Sequence, residues 1–327
     1  MRLKNLKFEQ IHWPTLPGLA AAAILLAGCF AIPATAQQKS QQTFSSPEEA
    51  SNALVTATQN NDESAILEIL GPDGKNVVSS GDDVEDAGSR ANFVQRYHEM
   101  HRLVKEPDGT TTLYIGAENW PTPIPIVNNG HAWYFDTEIG KQEILFRRVG
   151  LNELSAVQVC QELVAAEKEF NSSQKSEYAQ KIFSDEGQHN GLYWKAADGD
   201  PASPIGPLVA AAAANGYVKT QNASPAPYRG YYFRILISSG KNAPGGAKSY
   251  ISSGKMTGGF AFVAYPAEYR SSGVMTFIVN QDGQVYQKDL GKKTSGVASA
   301  MKAYDPNPSW QKAEEDQTEA SDEQITK

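Results

Sequence analysis

The side chains able to do chemistry are few and scattered. Five histidines occur in 327 residues. His98 and His101 stand three apart in a stretch that reads as helix, a spacing that can set two imidazoles on one face. Zinc would need at least a third ligand, the adjacent Glu99 faces elsewhere, and no H-E-x-x-H pattern occurs. The pair therefore reads as surface residues. His131 opens a strand after a turn and reads as exposed. His189 lies in a Gly-Asn loop with Asp185 and Glu186, types that can hold a metal, although a polar loop accounts for them. Asp198-Gly199-Asp200 could offer carboxylate oxygens to calcium. It lacks the five-ligand spacing and closing Glu of an EF-hand loop, so it reads as a polar turn. The pairs Ser239-Gly240, Gly245-Gly246, Ser253-Gly254 and Gly258-Gly259 have neither the nucleophile-elbow form nor the Lys-Ser/Thr ending of a phosphate loop. No residue is assigned a catalytic, cofactor-binding or metal-ligating role.

Two further groups carry weaker signals. Trp120, Trp133, Tyr134 and Phe135 gather around one predicted sheet. Alternation puts Trp133 and Phe135 on one face and Tyr134 on the other. That face reads as core, with a ligand pocket as the sharper alternative. Cys160 falls on the apolar stripe of a predicted helix and reads as a small buried hydrophobe.

The elements that must position these residues fall into two sets. Ser46-Pro47-Glu48-Glu49 is a helix start: Ser46 caps, Pro47 suits the first position and Glu49 completes a capping box. Ala50, Ala53, Leu54 and Ala57 share a face. A second short helix carries Ala65, Ile66, Ile69 and Leu70 and stops at Gly71-Pro72. Residues 81–88 read as an acidic loop, followed by a helix with Phe93, Val94 and Tyr97 inward. The period then changes to two, giving strands at 111–115, 123–127 and 131–136. Prolines 121, 123 and 125 assign the middle strand to an edge.

Residues 139–151 read as a connecting helix. From Asn152, a plausible cap, Leu154, Val157, Cys160, Leu163 and Val164 mark an amphipathic helix. A short helical piece at 178–183, a loop-rich stretch at 187–207 and an Ala-rich helix at 208–215 follow. Four strands come next, at 231–237, 260–265, 274–279 and 285–288. Asp282-Gly283 turns the last pair, because Gly accepts positive φ without steric cost. Such a sheet needs a cover on its apolar face, and the helix from Asn152 is the candidate. The fold class is α+β in two domains: helices plus a small sheet over 44–138, and a helix packed on an antiparallel meander over 152–291. Residues 292–327 read as an acidic, disordered tail.

The first residues read as an address. Arg2, Lys4 and Lys7 precede an apolar run over 19–32, short of the ~20 residues that span a bilayer. Pro33 breaks the run, and Ala34-Thr35-Ala36 is an A-x-A cleavage site before Gln37. Residues 1–36 are thus a signal peptide and 37–43 a tether, with no transmembrane helix in the mature form. Leu26-Ala27-Gly28-Cys29 offers a rival, a lipobox in which Cys29 is lipidated and becomes the mature N-terminus. Cleavage after Ala36 leaves Cys160 alone, so no intramolecular disulfide forms. The formal net charge of −8 argues against a nucleic-acid partner.

Several segments carry a resemblance. FSSPEEA, AILEILGPDG, ENWPTPIPIV, HAWYFDTEIGKQEILFRRVGLNEL, PAPYRGYYFRIL and SGVMTFIVNQDGQVYQKDLG are similar to a bacterial family of exported proteins known only as domain of unknown function 2950. That likeness covers most of residues 44–291 and implies no activity. Through PEEA, NDESAILEIL and HAWYFD, residues 44–138 resemble the cone-shaped nuclear transport factor-like fold, whose concave face often holds a ligand pocket. Residues 152–291 resemble the heads of type II secretion pseudopilins. Tyr269, Ser272, Gly273, Phe277, Val279, Asp282, Gly283 and Val285 fill that pattern. A working pilin keeps its apolar N-terminal helix continuous with the head, and here a whole domain intervenes.

Three functional expectations follow. The first is an exported, periplasmic or secreted cell-envelope protein, a lipoprotein if Cys29 is modified, doing non-catalytic binding or structural work with an envelope protein partner or an unidentified ligand. The second is a periplasmic hydrolase with a pocket in the N-terminal domain. The third is a pilus- or secretion-associated accessory protein.

Overall fold

Ser46 starts the first helix. Its side chain accepts the Glu49 N–H at 3.1 Å, and Pro47 sits in the first turn, where its missing N–H leaves no bond unmade. Glu49 reaches back one residue further than a capping box requires, accepting from the Ser45 N–H at 2.8 Å. In the computed structural model, which describes residues 41–173, 176–196, 199, 201–214, 217 and 226–313, this helix is α1 (Pro47–Gln59). It is followed by α2 (Glu63–Leu70), α3 (Lys75–Val78) and α4 (Asp83–Glu99). The signal peptide, most of the tether, Asp198, Asp200 and residues 314–327 lie outside the described residues.

The acidic stretch 81–88 is no loop. Asp82 accepts the N–H groups of Val84 and Glu85, both at 3.2 Å, and so caps α4. Asp83, Glu85 and Asp86 occupy its first turn, where the helix dipole favours negative charge. What reads as loop composition is the N-terminal end of a helix.

A five-stranded antiparallel sheet follows: β1 (His101–Lys105), β2 (Thr111–Ile115), β3 (Trp120–Pro121), β4 (Ile126–Asn128) and β5 (Trp133–Phe135). The order is β1-β2-β4-β5, with β3 beside β2. Two expectations fail here. β1 was not anticipated, and the middle strand is interior, because prolines 121, 123 and 125 all precede β4 and none needs to donate within it. Ala50, Ile66, Ile69, Leu70, Ile126 and Phe135 form the main core between helices and sheet. A smaller core joins Val55, Tyr97, Leu113 and Ile115.

The connecting helix and the helix expected to start at Asn152 are one element, α5 (Thr137–Ser173), 37 residues long. Gly150 does not stop it. Asn152 is no cap but a buried residue whose amide donates to Glu85 Oε2 and to the Ser272 carbonyl, both at 3.1 Å. Leu154 is exposed, whereas Ala156, Cys160, Leu163, Val164 and Phe170 face inward.

Residues 178–183, expected to be helical, form isolated bridges, with Tyr178 opposite Met256 and Phe183 opposite Tyr193. The Ala-rich helix α6 spans Gly206–Ala214. The meander then forms. β6 (Tyr231–Leu236) leads into short strands β7 (Ser238–Ser239), β8 (Lys248–Ser249), β9 (Ile251–Ser252) and β10 (Lys255–Met256). The long strands β11 (Ala261–Pro266), β12 (Met275–Asn280) and β13 (Tyr286–Asp289) follow. After α7 (Thr294–Ala300) come β14 (Ala303–Tyr304) and β15 (Gln311–Lys312). The large antiparallel sheet has the order β15-β13-β12-β11-β6. Residues 156–170 of α5 share one continuous core with Tyr231, Phe262, Phe277 and Val279 of these strands.

Residues 292–313 are therefore folded. Tyr304 and Ala298 are buried, and Gln311 pairs with Gln287. The acidic composition that reads as disorder belongs to residues beyond 313. The described residues comprise helices and mainly antiparallel sheets, with β14 and β7 paired in parallel, an α+β architecture. No described helix is long and apolar enough to cross a membrane.

Candidate functional site

A groove of about 800 Å³ opens between α4 and α5. Its floor is the N-terminal core, reached through Ile66, Leu70, Ile124 and Phe135. Val84, Phe93 and Arg96 come from the α4 wall; Ile144, Leu151 and Ser155 come from the α5 wall. Apolar surface predominates, and the polar groups gather at two places where the walls are bridged.

At the first bridge the Asn152 amide ties Glu85 on α4 to the Ser272 carbonyl of the C-terminal half. Beneath it lies Asp82, 1 % exposed. Besides capping α4, its Oδ2 accepts from the Tyr217 hydroxyl at 2.8 Å and from the Gly230 N–H at 2.9 Å. Asp86 is equally occupied, taking the Ser80 N–H on both oxygens at 2.9 and 3.1 Å. Arg148 crosses from α5 to the carbonyls of Asn76 and Val77, at 2.7 and 2.6 Å. Burial lowers the Arg148 pKa, against the pull of the Asp86 and Glu85 charges. Burial, then the neighbouring Asp82 charge, raises the carboxyl of Glu85 above its ordinary value.

At the second bridge stands Trp120, 49 % exposed. Arg96 of α4 lies 5.4 Å from its ring centroid and Arg147 of α5 lies 5.8 Å from it. These are cation–π distances, with one exposed indole serving two guanidinium groups.

Tyr217 is the one hydroxyl on the groove, among the described residues, that is bonded to a carboxylate. Burial and the Asp82 charge both push its phenol upward, away from the nucleophilic phenolate. Thr58 donates to the Leu54 carbonyl instead. Thr122 Oγ1 is buried without a partner among the described residues.

The residues singled out in the sequence lie mostly elsewhere. His98 ends α4 while His101 begins β1, so the pair shares no helix face. The His101 ring stacks on Tyr97 at 3.9 Å, and its Nδ1 lies 2.9 Å from the Tyr97 carbonyl. His131 is exposed. His189 stacks on Trp194 at 4.5 Å, while Asp185 pairs with Lys181 at 2.5 Å. Among the described residues no three His, Cys, Asp or Glu side chains gather as for a metal. Of the four aromatics, Trp133 and Phe135 share the N-terminal core, with Trp133 opposite Phe44; Phe135 and Trp120 also reach the groove, and Tyr134 is half-buried. Cys160 is buried, and burial pushes its thiol up to about 12. Cys29, Ala36 and Gln37 lie outside the described residues.

Sequence reasoning missed Glu85, Arg96, Arg147, Arg148 and Thr122 on the groove and Asp82 beside it. One signal was available. Arg147-Arg148 interrupts the apolar run Ile144-Leu145-Phe146 and Val149, and charges set into a helical apolar stripe need partners.

No curated protein and no solved structure matches the chain. A family match covers residues 41–313, the span from the extended lead-in of α1 to the end of the large sheet. The chain belongs to the family described as Protein of unknown function (DUF2950).

Proposed function

We propose that this is an exported cell-envelope protein that works by binding, with the groove between α4 and α5 as its ligand site. The observation that carries the reading is the groove itself, open to solvent yet floored by apolar core residues. Concave, mostly apolar surface with a few placed polar groups is the usual form of a small-molecule site. The basic start, the short apolar run and Ala34-Thr35-Ala36 support export with cleavage before Gln37. A lipidated Cys29 is the other form of the same reading. The hydrolase reading has less support, since the two acids that line the groove, Glu85 and Asp86, accept amide and N–H donors, and the Tyr217 hydroxyl bonded to Asp82 is pushed away from its phenolate. The nuclear transport factor-like and pseudopilin-like likenesses of the two halves rest on fold analogy, and so does a secretion-associated role.

Gly88 allows a clean test. It lines the groove from within α4, and a Cβ added there meets nothing within 4 Å. Gly88→Trp fills the groove from the solvent side, while replacing glycine inside a helix favours folding. Native mass spectrometry of the mature protein, purified without detergent from its own host, is expected to show a discrete small-molecule adduct that Gly88→Trp abolishes. The same spectra read the cleavage site and any lipid on Cys29. An adduct that persists in the variant, or none in either protein, refutes the groove as ligand site.

A further inference from the structure

The Trp120 end of the groove has an asymmetry that structure alone does not require. Arg96 and Arg147 are held on one indole although their charges repel. Each engages chiefly through Nε: Arg96 to Asn92 Oδ1 at 2.8 Å, Arg147 to Glu143 Oε1 at 2.7 Å. The terminal nitrogens of both make no hydrogen bond among the described residues. Arg96 Nη1 approaches Glu118 only to 3.6 Å, an ion pair with a carboxylate 65 % exposed. Such rim pairs contribute little and exchange readily with a better acceptor.

Charge points the same way. The chain carries a net −8, yet the groove is lined by Arg90, Arg96, Arg147, Arg148 and Arg229 against two carboxylates, Glu85 and Asp86; Glu118 and Glu143, which pair with Arg96 and Arg147, stand off the lining. Arg148 is already committed to backbone carbonyls, and Glu85 lies at the opposite bridge. Away from Trp120 the floor is mainly apolar over the span from Arg96 back to Glu85, with Ser89, Arg90 and Asn92 of α4 also on the lining. That span is eleven residues of α4, about 16 Å at 1.5 Å per residue. On the mouth side the apolar surface runs outward through Leu151, 67 % exposed, to Leu154.

We propose that the groove takes a single-chain anionic amphiphile. Its carboxylate or phosphate head sits on the terminal N–H groups of Arg96 and Arg147, over Trp120. Its alkyl chain lies along the floor toward Glu85. The planar guanidinium fork matches the oxygen spacing of both head groups, so the two arginines fix the head's charge and geometry while the floor selects an unbranched chain. This assignment rests on the groove being the ligand site.

The test is displacement of a groove-bound apolar fluorophore from the full mature protein by four twelve-carbon ligands: dodecanoate, dodecyl phosphate, dodecanol and dodecylamine. Both anions are expected to bind about tenfold or more tighter than the alcohol, the worth of one charged hydrogen bond or more, and the amine weakest. Arg96→Gln and Arg147→Gln, both at solvent-accessible positions, are each expected to cut the anion affinity about tenfold and leave that of dodecanol unchanged. Comparing dodecanoate with dodecyl phosphate tells whether the natural head is a fatty acid or a phosphate ester. Equal affinity for alcohol and anions, or tightest binding of the amine, overturns the anionic assignment while leaving the groove as an apolar site. Failure of all four ligands to displace the fluorophore overturns both.

Discussion

Glu167 is a carboxylic acid in a place built for hydrocarbon. It lies on α5, is 0 % exposed, and accepts the Ala179 N–H at 2.9 Å on Oε2; Oε1 is buried with no partner among the described residues. Burial raises its pKa from the ordinary 4.5 to about 8, with the Ala179 bond opposing. In the unfolded chain the group ionises near 4.5; in the folded chain it holds its proton to about 8. The folded state therefore binds the extra proton between those limits, and stability falls as pH rises through that window. Its full contribution is present below about 4.5 and gone above about 8. At 1.36 kcal/mol per pH unit, the interval from 4.5 to about 8 amounts to about 5 kcal/mol. Glu167→Gln keeps the shape and the acceptor for Ala179 but cannot ionise. Urea denaturation of both proteins at pH 5, 6.5 and 8 isolates this group, since every other titration cancels in the difference. The variant is expected to gain on the native protein by about 3–4 kcal/mol between pH 5 and pH 8, about a third of it already by pH 6. Parallel pH profiles for the two proteins would refute the reasoning.

Three further outcomes follow from the same packing. Asp82→Ala removes the α4 cap, about 1 kcal/mol, and leaves the Gly230 N–H and Tyr217 hydroxyl unpaired, about 1–3 kcal/mol each. Chemical denaturation should show a loss of at least about 3 kcal/mol, with hydrogen exchange fastest around Gly230. Gly273→Ala forces a Cβ into the Tyr231 hydroxyl, which donates to the Met275 carbonyl at 2.9 Å. Thermal unfolding should register about 2–3 kcal/mol of destabilisation, whereas Gly283→Ala, strained only by its φ of 82°, should cost less. Cys160, buried and pushed up to about 12, should be inert to a thiol reagent at pH 8 in the folded protein and react only as fast as the chain opens.

The parts of the fold legible in the sequence are those where local chemistry and tertiary packing agree. Ser46, Pro47 and Glu49 place α1 because capping is a short-range interaction. Tyr231–Leu236, Met275–Asn280 and the turn at Gly283 follow from β-branched and aromatic alternation with a glycine at positive φ. The failures occur where one residue answers to a distant partner. Asn152 looks like a cap, but its amide is spent on Glu85 and Ser272, 67 and 120 residues away in sequence. Gly150 costs a helix interior about 1 kcal/mol, which the packing of both flanks offsets. The groove was hidden for a like reason. Arg96 and Arg147 meet only because Trp120, on a two-residue strand, stands between their helices. His98 and His101, whose spacing looked purposeful, were separated by the turn from α4 into β1.

The unbroken run from Thr137 to Ser173 has a mechanical consequence. At 1.5 Å per residue it is a rod of about 55 Å. Near its front, Arg148 is pinned to the carbonyls of Asn76 and Val77; farther back, Leu163 and Phe170 are sunk among the meander strands. A shaft gripped at two points cannot turn at one without torque at the other. Widening or narrowing the cleft beside Ile144 must therefore be felt by the sheet that carries Phe277, and cutting the chain near Gly150 would leave each fragment holding half of a shared axle.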